Sequence, residues 1–294
     1  MANNNQGSMK RKRAVGNVIG YIVLILISLI WLFPYFGLLM ASFRSFDASV
    51  EYGGMVDYII PHTFSLDNYR FLFDTTQNNY TRWYLNTLII SLCVAVLNTL
   101  NVLCVSYALS RMRFKGRTLL MRFWLILGMF PGFLTMICLY FLLKQVGLTQ
   151  AGAIPGLILV SVASSGMGYY VCKGYFDTIP KALDEAARID GASRARVFLT
   201  MTIPMSKPII IYTALVAFMG PWCDYVFASY IAFGHDKSYN VAVAMQRWMV
   251  VGDYQGYFTR FCAGGIVVAI PVTLLFMFLQ KYYVEGVTGG AVKG

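Results

Sequence analysis

The stretch that decides the reading is "DEAARIDGASRARVFLTMTIPMSKP", residues 184–208, a polar segment flanked on both sides by long apolar runs. Pro180 suits the start of a helix, where its missing N–H is no loss. In "KALDEAARID", Leu183, Ala186, Ala187 and Asp190 recur at three- and four-residue spacing, mostly on one face. Gly191 is the expected left-handed stop. Ser193 can cap a second helix, "RARVFLTMTI", which is predicted to end before Pro204. Each piece is too short to be stable alone in water, so the hairpin needs packing partners. The two alanines give a smooth surface, and Glu185, Arg188, Arg194 and Arg196 stand around it. That composition suits a knob inserted into a cleft on another protein. A DNA-binding helix-turn-helix has similar composition, but a tether between two apolar spans opposes entry into a groove.

The flanking runs set the class. Of 294 residues, 58% are hydrophobic and 13% charged, and the mean hydropathy is +0.60. A soluble domain carries about 25% charge. Apolar runs cover 18–42, 85–110, 119–143, 153–175, 209–233 and 261–282, and about 20 such residues cross the hydrocarbon as a helix. The chain is therefore predicted to be an all-α polytopic membrane protein with six transmembrane helices. A basic tail (1–17) precedes a six-span domain (18–282), and a second tail (283–294) follows it. The long connections are 43–84 and 234–260 on one face and 176–208 on the other; the first carries five acids and is expected to fold on its own. Ser161, Ser164, Ser165, Gly166 and Gly168 dilute the fourth span. Kinks are expected at Pro34, at Gly128, Pro131 and Gly132, at Gly220 and Pro221, and at Gly264, Gly265 and Pro271. Within a bilayer such breaks are tolerated where other helices or a wet cavity satisfy the freed backbone groups.

The net charge of +11 raises the question of nucleic acid, and the placement of the charges answers it. With both tails on one side, that side holds 16 basic residues, including Lys10–Arg13, Arg111, Arg113, Lys115 and Arg117. The opposite side holds seven, and Arg122 is left inside a span. This is the positive-inside asymmetry, which orients both termini to the cytoplasm; it is a topology feature, not a nucleic-acid footprint. The first apolar run is longer than the ~7–15 residues of a signal-peptide core and reads as a retained span. The six cysteines fall in or at the spans without a C-x-x-C pair, so they read as small apolar filler.

Chemistry of its own is missing from the sequence. There is no G-x-x-x-x-G-K-[ST] phosphate loop, no G-x-S-x-G and no H-E-x-x-H. His62 and His235 stand apart in outer loops, so no metal site is expected. No catalytic residue is assigned. Asp224 is the one carboxylate well inside a predicted span, whereas ion-coupled carriers usually hold ionisable groups at mid-membrane depth. A self-sufficient ion-coupled carrier or channel is the alternative reading; the sparse acids favour an energy source on another chain.

"EAARIDGA" followed by "TIPMSKP" resembles the EAA loop of binding-protein-dependent ATP-binding-cassette (ABC) importer permeases, through Glu185, Ala186, Ala187, Gly191, Ile203 and Pro204. Ile203–Pro204 replaces the frequent Leu-Pro of the family. "MGPWCDYVFASYIAF" with "YNVAVAMQRWM", and the C-terminal "KYYVEGVTGGAVKG", resemble MalG-like permeases for oligosaccharides. Cys223 departs from the Asn or Met frequent in relatives. The resemblance covers nearly the whole chain and implies a type I importer permease in a bacterial-type cytoplasmic (inner) membrane. It implies a second permease subunit, two ATP-binding subunits that hold ATP and Mg, and an extracytoplasmic solute-binding protein. Residues Glu185, Ala186, Ala187, Arg188, Asp190, Gly191, Ile203 and Pro204 would then couple to the ATPase. Gly289, Gly290, Lys293 and Gly294 would form a tail contact to it. Sugar sites combine aromatic faces with hydrogen-bonding groups, which makes Trp222, Asp224 and Tyr225 candidates for the substrate pathway, with Asn86, Asn98 and Asn101. A maltodextrin-type glucan is the first expectation for the substrate.

Overall fold

Helices follow one another along nearly the entire chain, as an apolar sequence in a solvent without hydrogen-bonding partners requires. The computed structural model describes residues 3–45, 59–250 and 254–288. In order, the helices are α1 (Asn3–Ser42), α2 (Asp67–Phe73), α3 (Tyr80–Arg111), α4 (Arg117–Gly128), α5 (Gly132–Gln145), α6 (Ala153–Ala163) and α7 (Gly166–Thr178). They continue with α8 (Lys181–Ile189), α9 (Arg194–Val197), α10 (Ile203–Met205), α11 (Lys207–Cys223), α12 (Val226–Ile231), α13 (Val241–Val250) and α14 (Tyr254–Thr288). Three segments, Ala14–Ser42, Tyr80–Arg111 and Tyr257–Lys281, are long and apolar enough to span a membrane alone. Three bent pairs raise the number to as many as six.

The chain divides into two units. The first comprises residues 1–74 and 248–266. Here the described end of the long outer loop has structure of its own, as its composition suggests; residues 46–58 lie outside the described residues. Arg44 bridges Phe64, and α2 is held by the buried Asn68. The Asn68 amide donates to the carbonyls of Ser42 (3.1 Å) and Arg44 (2.7 Å) and accepts from Thr259 (3.0 Å). The Arg260 guanidinium lies 3.7 Å from the centroid of the Phe71 ring, a close cation–π contact. Along α1, residues 14–36 are exposed, an apolar surface suited to lipid or another membrane chain.

The second unit comprises residues 75–247 and 267–294. Its centre is α3, packed against α11, α7 and α6. Val102, Leu103, Tyr107, Tyr169, Cys172 and Phe176 form much of the core. Small residues let the backbones approach: a Cβ on Gly168 would meet Val102 at 3.4 Å. Polar side chains tie helices together. Asn101 donates to Val162 O (3.0 Å) and Tyr169 Oη (2.8 Å), and Ser106 to Tyr169 O (3.1 Å).

The structure corrects several expectations. The third span is no kinked helix but two helices meeting at 103°. Pro131 caps α5 in an extended conformation (φ −57°, ψ 123°), and a proline drives its predecessor out of the helical region. The fourth span bends by 42° at Ser164–Ser165, within its dilute stretch. The fifth ends at Cys223, three residues after Gly220, and restarts as α12. The second hairpin helix does not stop before Pro204: α9 widens into a π-helical segment, Phe198–Thr202, that delivers Ile203 and Pro204 into α10. The wider turn absorbs the donor that proline lacks. Both predicted tails begin as helix, because α1 starts at Asn3 and α14 runs to Thr288.

Candidate functional site

The hairpin is built as its residues dictate. Pro180 (φ −56°) is the N-cap of α8. Gly191 has φ +83°, in the left-handed region. Its N–H donates to Arg188 O (3.1 Å), and the Ala192 N–H donates to Ala187 O (2.9 Å). These two bonds are the Schellman closure, which uses up the last carbonyls of α8. Ser193 Oγ accepts from Arg196 N at 3.2 Å and caps α9. Glu185, Ala186, Arg188, Asp190 and Gly191 are exposed, and Ala187 is half-buried. Ile189 stands 86% exposed at the tip.

What roots the hairpin escaped the sequence reading. Arg111, at the end of α3, counted there only as loop charge; it is buried beneath the hairpin. Its Nε lies 3.0 Å from Asp184 Oδ2, with side chains 5% and 17% exposed respectively. Its Nη2 donates to Phe176 O (3.0 Å) and Ile179 O (2.9 Å), carbonyls at the end of α7 beside the Ile179–Pro180 corner. One turn earlier, Tyr107 donates to Arg194 O (3.2 Å), and its ring lies 4.6 Å from that of Phe198. Ser110 donates to Asp177 (2.6 Å), which also pairs with Lys173 (2.5 Å). The hairpin is thus fastened to α3 and α7 by buried contacts.

The candidate pathway residues separate. Asn98 and Asp224 line one cavity of about 340 Å³, together with Ser161, Gly220 and Asn240. Asn86 is committed to Lys237 O and Tyr239 O (2.9 Å each), and Asn101 to the bonds already described. Trp222 is buried, edge-on to Tyr84 with centroids 5.2 Å apart. Tyr225 faces a different hollow, shared with Tyr230, Tyr239 and Arg247. Residues 222, 224 and 225 diverge: the helix ends at Cys223 and restarts at Val226, so Trp222 stays on α11 while Asp224 and Tyr225 lie in the break.

The break itself is held by Asn240, which the sequence reading passed over. Its amide donates to Asp224 O (2.6 Å) and Pro221 O (3.3 Å), and its oxygen accepts from Val243 N (2.9 Å). Asp224 Oδ1 accepts from Phe227 N (3.2 Å) at the first turn of α12. The cavity therefore lies where backbone groups leave the helix and are satisfied by side chains, the permitted form of irregular backbone at membrane depth. Gly289, Gly290, Lys293 and Gly294 lie outside the described residues.

Relatives give this arrangement its family. The chain is 34% identical over 282 residues to the maltodextrin transport system permease protein MdxG of Bacillus subtilis, covering 96% of this chain and 98% of that one. It is 35% identical over 289 residues to the galactooligosaccharides transport system permease protein GanQ of the same organism, covering 97% and 99%. Among solved structures, a chain of a bacterial ABC transporter involved in import of the acidic polysaccharide alginate superposes with a TM-score of 0.75. That match is 22% identical and covers 93% of this chain and 98% of the other, a likeness of fold. The profile of the family described as "Binding-protein-dependent transport system inner membrane component" matches residues 101–289, from the middle of α3 to the end of α14, and the chain belongs to that family.

Proposed function

We propose that this protein is the membrane-spanning, non-enzymatic permease subunit of an ATP-driven importer, translocating an oligosaccharide delivered by an extracytoplasmic binding protein. The observation that carries the reading is the hairpin: an exposed, rigid corner at Ala186–Gly191, rooted through Arg111 in α3 and α7. Such a part transmits force from a docked partner to membrane helices. On this reading Glu185, Ala186, Ala187, Arg188, Asp190, Gly191, Ile203 and Pro204 serve the ATPase contact, directly or by shaping it. Two ATP-binding subunits hold ATP and Mg, and a second permease subunit completes the pathway. Both termini and the 176–208 segment are cytoplasmic, with six spans if the bent pairs 117–145 and 150–178 each cross once and α11 crosses without 194–205.

For the substrate, the near-equal identities to the maltodextrin and galactooligosaccharide permeases support a neutral oligosaccharide and do not separate the two. A maltodextrin-type glucan remains our first choice. The cavity of Asn98, Ser161 and Asp224 is this chain's contribution to the pathway, offering hydroxyl-binding groups on an otherwise apolar wall. Gly220 lines that cavity, and a Cβ there meets nothing within 4 Å. Gly220→Phe should therefore plug it without disturbing the fold. In the reconstituted complex we expect sugar uptake to be lost while assembly and ATP hydrolysis persist; undiminished uptake would remove this cavity from the pathway.

A further inference from the structure

Arg122 is anomalous in a span. It lies on α4, between Met121 and Phe123, in a segment that continues as apolar residues to Gly128. The structure gives it company. Arg113, Arg117, Arg122 and Lys173 together line an open groove of about 760 Å³ between α4 and α7. Among the described residues no carboxylate lines this groove, and Asp177, one turn along α7 from Lys173, is already paired with Lys173 and bonded to Ser110. The groove also opens at the N-terminus of α4, where Gly116 and Thr118 line it and the helix dipole is positive. Its other wall is apolar: Leu119 and Leu125, 73% and 46% exposed, continue from the charged end into the span. Tyr170, donating to Met121 O, braces α4 against α7 at its floor.

A cluster of cations at the head of an exposed apolar stripe matches one ligand chemistry, a phosphate group carrying acyl chains. We infer that this groove binds an anionic phospholipid of the cytoplasmic leaflet. Its phosphate sits among Arg113, Arg117 and Arg122, and an acyl chain lies along Leu119 and Leu125. Arginine forks suit phosphate oxygens, and basic pockets between helices at the cytoplasmic face favour such headgroups. Arg122 is then no charge stranded in hydrocarbon but a side chain reaching back to the interface. The lipid would hold α4 against α7 beside Lys173, whose partner Asp177 is tied to α3 through Ser110.

The inference rests on the cytoplasmic placement of the 110–118 loop. Cysteine-accessibility labelling from outside at Lys115→Cys would overturn that placement, whereas lipid retention is measured independently of it. The full chain, purified from membranes, is exchanged into phosphatidylcholine nanodiscs with or without phosphatidylglycerol, and retained lipid is read by native mass spectrometry after extraction. We expect phosphatidylglycerol to be retained selectively, with retention falling about fivefold for each of Arg113→Gln, Arg117→Gln and Arg122→Gln. On the unmutated chain, a photoreactive phosphatidylglycerol should label peptides from 113–125. Equal retention by the triple variant, or labelling elsewhere, would overturn the proposal. So would displacement by glycerol phosphate as effective as by the lipid, which marks a free-anion site. Loss of the lipid on assembly with the second permease would also overturn it, marking this face as a subunit interface.

Discussion

Gly191→Val is expected to leave ATP hydrolysis running and to stop uptake in the complex proposed above. Gly191 sits at φ +83°, where a β-branched residue is strained by about 1–3 kcal/mol. Space is not the issue, since a Cβ there meets nothing within 4 Å. The strain falls on the Schellman closure, whose two bonds from Gly191 and Ala192 fix the direction in which α9 leaves α8. If that corner opens, α8 and α9 no longer hold a fixed angle, and on the proposed function the closure of a docked ATPase is not passed to α7 and α3. Gly191→Asn is the control, because asparagine tolerates the left-handed region; it should retain most uptake. The measurement is the ratio of sugar imported to ATP hydrolysed in proteoliposomes, at equal amounts of assembled complex. Normal coupling in the valine variant would contradict the geometry.

Arg111→Met has the larger effect on stability. The side chain is 5% exposed and holds Asp184 at 3.0 Å and two carbonyls at the α7 terminus. Methionine replaces the aliphatic stem but not the guanidinium, and leaves a mostly buried carboxylate and two acceptors without their cation. Breaking a buried pair from one side costs about 3 kcal/mol or more. We expect a lower unfolding temperature of the purified chain and loss of ATP-driven uptake. Arg111→Lys should recover part of both, since it restores charge but not the fork that reaches several acceptors at once. An unfolding temperature unchanged in Arg111→Met would show that the hairpin is not rooted there.

These two residues also mark the limit of legibility. Gly191, Ser193 and Pro180 could be read directly because a turn's chemistry is local: a left-handed stop, a cap and a missing donor are written within a few residues. The helical class and the apolar segments were equally plain, since spanning length is a property of one window. Arg111 was hidden because its partners, Asp184, Phe176 and Ile179, lie 65 or more residues away along the chain. Asn240 was hidden although its partners Asp224 and Pro221 lie only 16 and 19 residues back, because nothing in "SYNVAV" announces that its amide will serve the break at Asp224. The break at Pro131, and the one after Cys223 that was expected at Gly220 and Pro221, were read as kinks because proline predicts interruption but not angle. The candidate pathway set scattered on that account: Asn98 and Asp224 share a cavity, while Asn86, Asn101, Trp222 and Tyr225 serve packing or another hollow.

The central claim is that this chain forms a pathway and takes its energy from another through the 184–208 hairpin. The direct test is sugar uptake into proteoliposomes containing this chain and its co-purifying permease, with and without the co-purifying ATPase and ATP. The account predicts uptake only when ATPase, ATP and binding protein are all present, and none from an ion gradient alone. Uptake by the membrane chains without ATP, driven by a proton or sodium gradient and indifferent to Gly191→Val, would contradict it.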